Sequence, residues 1–339
     1  MISRRKTIGL IASAAILTRG RVSFAATIEK PSLKLSVGGK NQFYYLPVTV
    51  VEQLGYFKEA GLDVEILDFG SGARSLQSLI GGSVDMTAGA YDHTVQMQAQ
   101  GRAIKAYCML GQFPGIVLGM VKSKGRVYRS AGDLRGLKIG VTAPGSSAHF
   151  MVNWLLVQAG LRTDEVSIVS VGTAASAVAA ASKGEIDAIS NYDPAISMLE
   201  KMGAIDVVID TRSLAGTKEV YGGNYPAATL YMPTAFATGN PTTVQAMVDV
   251  FVRGLKWMVK EGPERIADIV PSDYHLGDKA LYIEALRHVM PLYQHDGRIP
   301  ADGGETALKV LSAFDTKVKG ASIDLSKTFD NSFVDRAKA

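Results

Sequence analysis

Apolar positions along the chain follow two different periodicities. Short strand-like runs lie at residues 33–37, 64–66, 137–141 and 166–168. Between them apolar residues recur every three or four positions, which is typical of a helix with one buried face. Two such faces are formed by Val48, Val51, Leu54 and Phe57 and by Val152, Leu155, Leu156 and Ala159. Strands that alternate with helices in this way predict an open, mostly parallel α/β sheet.

This order of motifs occurs twice. The run Leu33–Gly38 returns as Leu137–Val141, 104 residues later, and Tyr91-Asp92 returns as Tyr192-Asp193, 101 residues later. Matches that lie between these two are Ala60–Leu62 with Ala159–Leu161 and Gly82–Asp85 with Gly184–Asp187. Several matches in one order at a nearly constant offset predict two copies of a β-α-β-α-β unit.

Two copies in 339 residues predict two lobes, because a single core seldom grows to this size. We assign residues 29–123 and 226–339 to lobe one and residues 124–225 to lobe two. The apolar strands at 116–121 and 229–232 are expected to be hinges. A third amphipathic face predicts that the C-terminal part is helical and joins lobe one. That face comprises Val244, Met247, Val248, Phe251, Leu255 and Met258.

The N-terminus has the three regions of a secretory signal peptide. Arg4, Arg5 and Lys6 precede a ten-residue apolar run at 8–17, and small residues end the segment. We predict cleavage after Ala25, and therefore export to the periplasm. The paired arginines also resemble a twin-arginine signal, and the choice between the two export routes stays open.

The basic charge of the chain belongs to this segment. Residues 1–25 carry five basic and no acidic residues, so their removal leaves 31 basic against 32 acidic side chains. A nearly neutral chain without a Lys/Arg cluster is not expected to bind nucleic acid. The five histidines show no metal-ligand spacing, so we expect neither a metal nor a cofactor.

The loops that follow equivalent strands hold the first candidate binding residues. In open α/β sheets, ligands bind at the carboxyl ends of the strands. Gly39 and Gln42 follow the first strand of copy one, and Ser146 and Ser147 follow the first strand of copy two. Glycine lets a ligand approach the backbone, and a serine hydroxyl either binds an anion or caps the next helix. Both roles remain open for the serines.

The second set of candidates is aromatic and acidic. Tyr91 and Tyr192 lie at matching loop positions, which is expected to place one ring on each wall of a cleft. Asp92 and Asp193 follow them, and each carboxylate either reaches the cleft or caps a helix. Further aromatic candidates are Tyr44 and Phe113.

Several stretches resemble the periplasmic solute-binding proteins of the nitrate, sulfonate and taurine type, which serve ABC importers. These stretches are Phe43–Pro47, Glu52–Glu65, Gly82–Asp85 and Gly140–Ser147. The second of them contains Gly55-Tyr56-Phe57 and Gly61-Leu62. The resemblance implies a type II binding-protein fold, a ligand held between the lobes, and delivery to a permease and ATPase complex. A monomer is expected.

No enzyme motif competes strongly with this interpretation. Gly39-Lys40 is followed by Asn41 instead of the Ser or Thr of a P-loop. A thiamine-pyrimidine synthase-like branch shares the fold but is marked by a cysteine-rich motif, whereas Cys108 is the single cysteine of the chain. We therefore expect no catalysis, and a small organic anion or zwitterion resembling a sulfonate or taurine as the ligand. The alternative is a protein that binds an aminopyrimidine, or an enzyme related to the synthases.

Overall fold

A computed structural model describes residues 27–338, so the predicted signal peptide at 1–25 lies outside the described residues. The described chain forms two five-stranded sheets flanked by helices, which confirms the predicted two-lobed α/β fold. The strands are β1 Ser32–Val37, β2 Asp63–Asp68, β3 Met86–Ala90, β4 Ile104–Met109, β5 Ile116–Val121, β6 Lys138–Val141, β7 Ser167–Ser170, β8 Ala188–Tyr192, β9 Ile205–Asp210 and β10 Ala228–Pro233.

Helices follow most strands, and a helical C-terminal part completes the chain. The α-helices are α1 Leu46–Gln53, α2 Tyr56–Glu59, α3 Gly72–Ile80, α4 Asp92–Ala99, α5 Ser147–Gln158, α6 Ala174–Ser182, α7 Ala195–Lys201, α8 Leu214–Tyr221, α9 Thr234–Gly239, α10 Pro241–Ile269, α11 Lys279–Val289, α12 Ala301–Phe314 and α13 Thr316–Lys319. Short 3-10 helices lie at Phe43–Tyr45, Lys122–Lys124, Ala131–Leu134, Thr163–Glu165, Ser272–His275, Met290–Tyr293, Leu325–Lys327 and Val334–Arg336.

The two sheets have equivalent strand orders, β2-β1-β3-β10-β4 and β7-β6-β8-β5-β9. In the first sheet, Leu35 pairs in parallel with Ile66 on one side and Met86 on the other. In the second sheet, Ile139 occupies the same central place between β7 and β8. The sequence repeat therefore corresponds to a structural repeat of three parallel strands with their connecting helices.

Each sheet is completed by one antiparallel strand that comes from outside its repeat. Strand β10 lies between β3 and β4, and β5 lies between β8 and β9. The residues 116–121 that we assigned to lobe one therefore hydrogen-bond within the second sheet. An apolar run predicts a buried strand, but it does not predict which sheet that strand joins. The lobe boundaries remain a prediction, and this pairing favours a first crossing at 110–115.

The helical C-terminal part contacts both lobes. The predicted apolar face of α10 is buried, with Val244, Phe251 and Met258 fully shielded from solvent, and the helix packs on α1 of the first lobe. Helix α11 contacts α7, and α12 contacts both α4 and α5. The C-terminal part thus packs on lobe one and also touches the second lobe, and its assignment to lobe one stays a prediction.

No helix within residues 27–338 is both long and apolar enough to cross a membrane.

Candidate functional site

The carboxyl ends of equivalent strands from the two sheets enclose a small cavity, which we call the interlobe chamber. Its volume is about 10 Å³, roughly what one water molecule needs, so the lobes are closed on one another. Both copies of the repeat supply its walls. The lining residues are Gly38, Gln42, Tyr45, Gly72, Ala90 and His93 from the first copy and Thr142, Ser146, Ser147 and Tyr192 from the second.

Asp92 lies in the first turn of α4, behind the wall of the chamber, and its side chain is 1% exposed. Its Oδ2 accepts hydrogen bonds from Ser147 Oγ at 2.7 Å and from the hydroxyl of Tyr225 at 3.2 Å. Its Oδ1 has no hydrogen-bond partner among the described residues. That oxygen lies 3.9 Å from Nε2 of His93, a chamber residue. A buried carboxylate oxygen without a donor is costly, so Asp92 holds an unused acceptor directly behind the chamber wall.

Tyrosine rings from both copies surround this carboxylate. The rings of Tyr44 and Tyr192, one from each copy, lie 4.9 Å apart, and Tyr44 contacts Tyr45 edge-on at 4.7 Å. Tyr225 stacks on Tyr221 at 4.5 Å. Burial, reinforced by the Asp92 charge, raises the pKa of Tyr225 well above its ordinary value. The hydroxyl therefore stays protonated and can donate to the carboxylate.

His93 forms a second polar link between the lobes. Its Nε2 lies 3.3 Å from the backbone oxygen of Gly145, and its Nδ1 lies 3.3 Å from the hydroxyl of Tyr231. A ring protonated at Nε2 satisfies both contacts, because it donates to Gly145 and accepts from Tyr231. The sequence analysis did not include His93 among the site residues.

A family model described as NMT1/THI5 like matches residues 42–265, which is more than half of the chain. The chain belongs to the NMT1/THI5-like family. Among curated relatives, the 4-amino-5-hydroxymethyl-2-methylpyrimidine phosphate synthase THI11 of Saccharomyces cerevisiae is 29% identical over 130 residues. That match covers 38% of this chain and only 37% of the yeast protein. This partial similarity therefore does not show that the chain has the activity of the yeast protein.

Solved structures match over nearly the whole chain. A protein from Bordetella bronchiseptica RB50 is 46% identical, with a TM-score of 0.89 over 91% of this chain and 98% of that one. The alkanesulfonate-binding protein SsuA of Xanthomonas axonopodis pv. citri, bound to MOPS, is 17% identical, with a TM-score of 0.69 over 90% of this chain and 100% of its own. The periplasmic nitrate-binding protein NrtA of Synechocystis PCC 6803 is 15% identical, with a TM-score of 0.70 over 90% and 88%. These likenesses confirm the fold that the sequence motifs indicated.

In this NMT1/THI5-like protein, Asp193 does not share the position of Asp92. Its Oδ1 accepts from the backbone nitrogen of Ser197 at 2.9 Å and from Ser197 Oγ at 2.6 Å. Its Oδ2 lies 3.4 Å from a guanidinium nitrogen of Arg212. Burial raises the pKa of Asp193, and Arg212 opposes that rise. Both oxygens are thus occupied by groups of the second lobe, and the bond from the backbone of Ser197 serves the start of α7, as the capping alternative expected.

Tyr91 and Phe113 lie away from the chamber. The hydroxyl of Tyr91 is 2.6 Å from Thr328 Oγ1, so the ring points to the C-terminal segment and not to the cleft. Phe113 is fully buried in an apolar cluster that includes Phe43 and Leu255. The expectation that matching tyrosines line both walls is met by Tyr192 alone.

The remaining sequence candidates lie at or beside the chamber. Ser146 caps α5 by accepting from the backbone nitrogen of His149 at 3.4 Å, and it also lines the chamber. Gln42 donates from Nε2 to the backbone oxygen of Gly38 at 2.7 Å, while its Oε1 has no partner among the described residues. Gly39 has a φ of 112°, and a Cβ there would lie 2.3 Å from Gln42 Nε2. That position therefore requires glycine.

Sequence reasoning missed several wall residues for different reasons. Ala90 ends β3 and Thr142 directly follows β6. Because ligands bind at the carboxyl ends of strands, the sequence could have indicated both residues. Tyr45 directly follows the predicted Tyr44, and the sequence does not show which of the two rings faces the chamber. Tyr225 belongs to neither copy of the repeat, and no pattern in the sequence points to it.

Among the described residues, none that lines the chamber is a lysine or arginine. A bound inorganic anion would have no countercharge there, and the Asp92 carboxylate would repel it. Within residues 27–338, no group of three or more His, Cys, Asp or Glu side chains is arranged to hold a metal ion. Cys108 is buried in β4, and burial raises the pKa of its thiol far above the ordinary value.

Proposed function

We propose that this NMT1/THI5-like protein is the substrate-binding component of an ABC importer and does not catalyse a reaction. Its two-lobed fold is shared with binding proteins for sulfonates and nitrate. The observation that carries the proposal is the hydrogen bond from Ser147 of one copy, a chamber residue, to Asp92 of the other copy, behind the chamber wall. A contact that forms only when the lobes meet couples closure to whatever binds between them.

The ligand that fits this chamber best is small and organic and carries an N–H donor. Asp92 Oδ1 is buried and free to accept, and an amine or a ring amino group satisfies it. Tyr45 and Tyr192, which both line the chamber, offer flat apolar surface to such a ligand. A zwitterion such as taurine and an aminopyrimidine both meet these requirements. Nitrate and bicarbonate do not, because they bring negative charge and no N–H donor to the carboxylate.

The cavity of about 10 Å³ also means that such a ligand requires the lobes to separate first. Binding would then proceed by opening, capture and closure about the two segments that connect the sheets. We expect export to the periplasm, with the mature chain starting at Ala26, and capture there followed by delivery to a permease. The intact mass of the protein from a periplasmic extract tests the export step.

A second candidate function is pyrimidine synthesis. The observation that favours it is the partial match to the yeast pyrimidine phosphate synthase. Against it stands Cys108, the single cysteine of the chain, which is buried and holds its proton. Incubation of the purified protein that yields a new pyrimidine product would favour this function over transport.

The decisive experiment is a mass spectrum of small molecules released when the protein, purified without refolding, is denatured. We expect one amine-bearing or amino-heteroaromatic compound in a one-to-one ratio with protein. Isothermal titration with taurine, an aminopyrimidine and nitrate then ranks the classes. Binding of nitrate alone would contradict the role assigned to Asp92.

A further inference from the structure

A larger groove opens beside the interlobe chamber, with a volume of about 520 Å³. We call it the arginine groove. Helices α3 and α4 of the first copy form one wall, with Arg74 on the first helix and Arg102 just after the second. The opposite wall comes from the second copy, from residues 143–145 and Ser170. Because the walls come from different lobes, this groove exists in the closed arrangement only.

The charge of the groove is entirely positive. Arg74 and Arg102 are exposed, and neither makes an ion pair with any residue of the described range 27–338. No Asp or Glu is among the lining residues. By contrast, Arg212 is held by three carboxylates of its own lobe. Guanidinium groups without carboxylate partners in a concave surface attract oxyanions, because their planar N–H donors match phosphate, sulfonate and carboxylate oxygens.

Neutral donors line the same surface. The side-chain amides of Gln77 and Gln100 belong to the lining, whereas the amide nitrogen of Gln96 is used by Asp315 at 2.9 Å. The first two amides can add hydrogen bonds to an anion that the arginines attract. The groove therefore supplies the cationic partners that the chamber wall lacks.

The groove and the chamber are separated by a thin wall. Gly72 lines the chamber, whereas its neighbour Ala73 lines the groove. Likewise, Ser146 lines the chamber and its neighbour Gly145 lines the groove. A Cβ on Gly145 would lie 3.6 Å from the Cβ of Ala73, so the two lobes touch there. A ligand that enters while the lobes are apart would take the place of this contact when they close, and would then extend from one space into the other.

We propose that the arginine groove binds an anionic group carried by the ligand whose donor-bearing end meets Asp92. The inference rests on the proposed function, because it assigns the second end of the same ligand. The ligand class is thus an amino-bearing ring or amine with a phosphate, sulfonate or carboxylate at its far end.

Isothermal titration with matched probes tests this assignment. The probes are 4-amino-5-hydroxymethyl-2-methylpyrimidine, its phosphate ester, and inorganic phosphate alone, in a buffer without other oxyanions. The wild-type protein is expected to bind the ester about tenfold more tightly than the free alcohol, as one charge-assisted contact predicts. The double variant Arg74→Gln/Arg102→Gln is expected to lose that preference and keep its affinity for the alcohol. Arg126→Gln, at an exposed arginine outside the groove, serves as the control and should behave as wild type.

The possible outcomes test the groove assignment separately from the proposed function. If neither pyrimidine binds but inorganic phosphate binds to the wild type and not to the double variant, the groove is an anion site and the ligand class proposed above is wrong. Equal affinity for ester and alcohol in the wild type, together with no phosphate binding, would overturn the groove assignment. An equal loss of both pyrimidines in the double variant would overturn it as well. Since both arginines are exposed, the variants are expected to fold, and their melting temperatures verify this.

Discussion

Ser147 Oγ donates to Asp92 Oδ2 at 2.7 Å, and these two residues belong to different copies of the repeat. The contact joins the first turn of α5 to the first turn of α4. It leaves Asp92 Oδ1 without a hydrogen-bond partner among the described residues. One hydroxyl thus holds the lobes together and orients the carboxylate that we assign to the ligand.

Replacing Asp92 by Asn is expected to weaken binding of an amine-bearing ligand by about 1.5 to 3 kcal/mol, because a neutral amide forms weaker hydrogen bonds with a donor than a carboxylate does. Isothermal titration measures the loss. Asp193→Asn is the matched control at the equivalent position of the second copy. It is expected to lower the melting temperature through the lost contact with Arg212 and to leave affinity nearly unchanged. If the two variants lost affinity equally, the distinction between the two carboxylates would be wrong.

Removal of the interlobe hydroxyl is expected to open the protein. Ser147→Ala removes one donor to a buried carboxylate, so the ligand-free population should shift toward separated lobes. X-ray scattering in solution is expected to show a larger radius of gyration than for the wild type. Ser213→Ala, which removes only the cap of α8, should cost about 1 kcal/mol of stability without that change in radius. An unchanged radius for Ser147→Ala would show that the contact does not control closure.

Of the two matched tyrosines, only Tyr192 is expected to affect ligand affinity, just as only Asp92 is expected to do so among the two aspartates. Tyr192→Ala removes a ring from the chamber wall and should weaken binding of a flat ligand by roughly 1 kcal/mol or more. Tyr91→Phe removes only the hydroxyl that contacts Thr328, so it should lower the free energy of unfolding by about 1 kcal/mol and spare affinity. Titration and chemical denaturation measure these two effects separately. Loss of affinity in Tyr91→Phe would place that residue in the site after all.

Acid is expected to weaken the loop that carries Gly145. His149 Nδ1 accepts from the backbone nitrogen of Gly145 at 3.0 Å, and burial lowers the pKa of this ring from 6.5 to about 4. The unfolded chain takes up a proton there as the pH falls through 6.5, whereas the folded chain stays neutral until about pH 4. The contribution of the ring to stability is therefore complete above pH 6.5 and is lost as the pH falls toward 4.

An NMR titration of the His149 ring together with denaturation at several pH values checks this. His149→Leu should reduce the slope of unfolding free energy against pH between 4 and 6.5. Some slope should remain, because burial also lowers the pKa of His295 to about 4. A His149 ring that titrates near pH 6.5 in the folded protein would rule the effect out.

Local pattern was enough to predict the order of strands and helices, the two copies and the amphipathic face of α10. Each of these depends on which residues are apolar at short spacing, so Val244 and Phe251 could be assigned to a buried face without knowing their partners. The strand-end rule likewise led to Gln42, Ser146 and Ser147 in the chamber wall, because parallel strands present their carboxyl ends at one edge of a sheet.

Which member of each matched pair faces the ligand was decided only by tertiary structure. Arg212, which follows β9, contacts the Asp193 carboxylate. Ser147 and Tyr225 donate hydrogen bonds to Asp92 and orient its carboxylate toward the other lobe. Thr328, near the C-terminus, contacts the Tyr91 hydroxyl and keeps that ring away from the chamber, whereas Tyr192 lines the chamber. The direction of a buried polar side chain follows the partner that satisfies it. Here those partners lie as far as 237 positions away along the chain, beyond the reach of any local pattern.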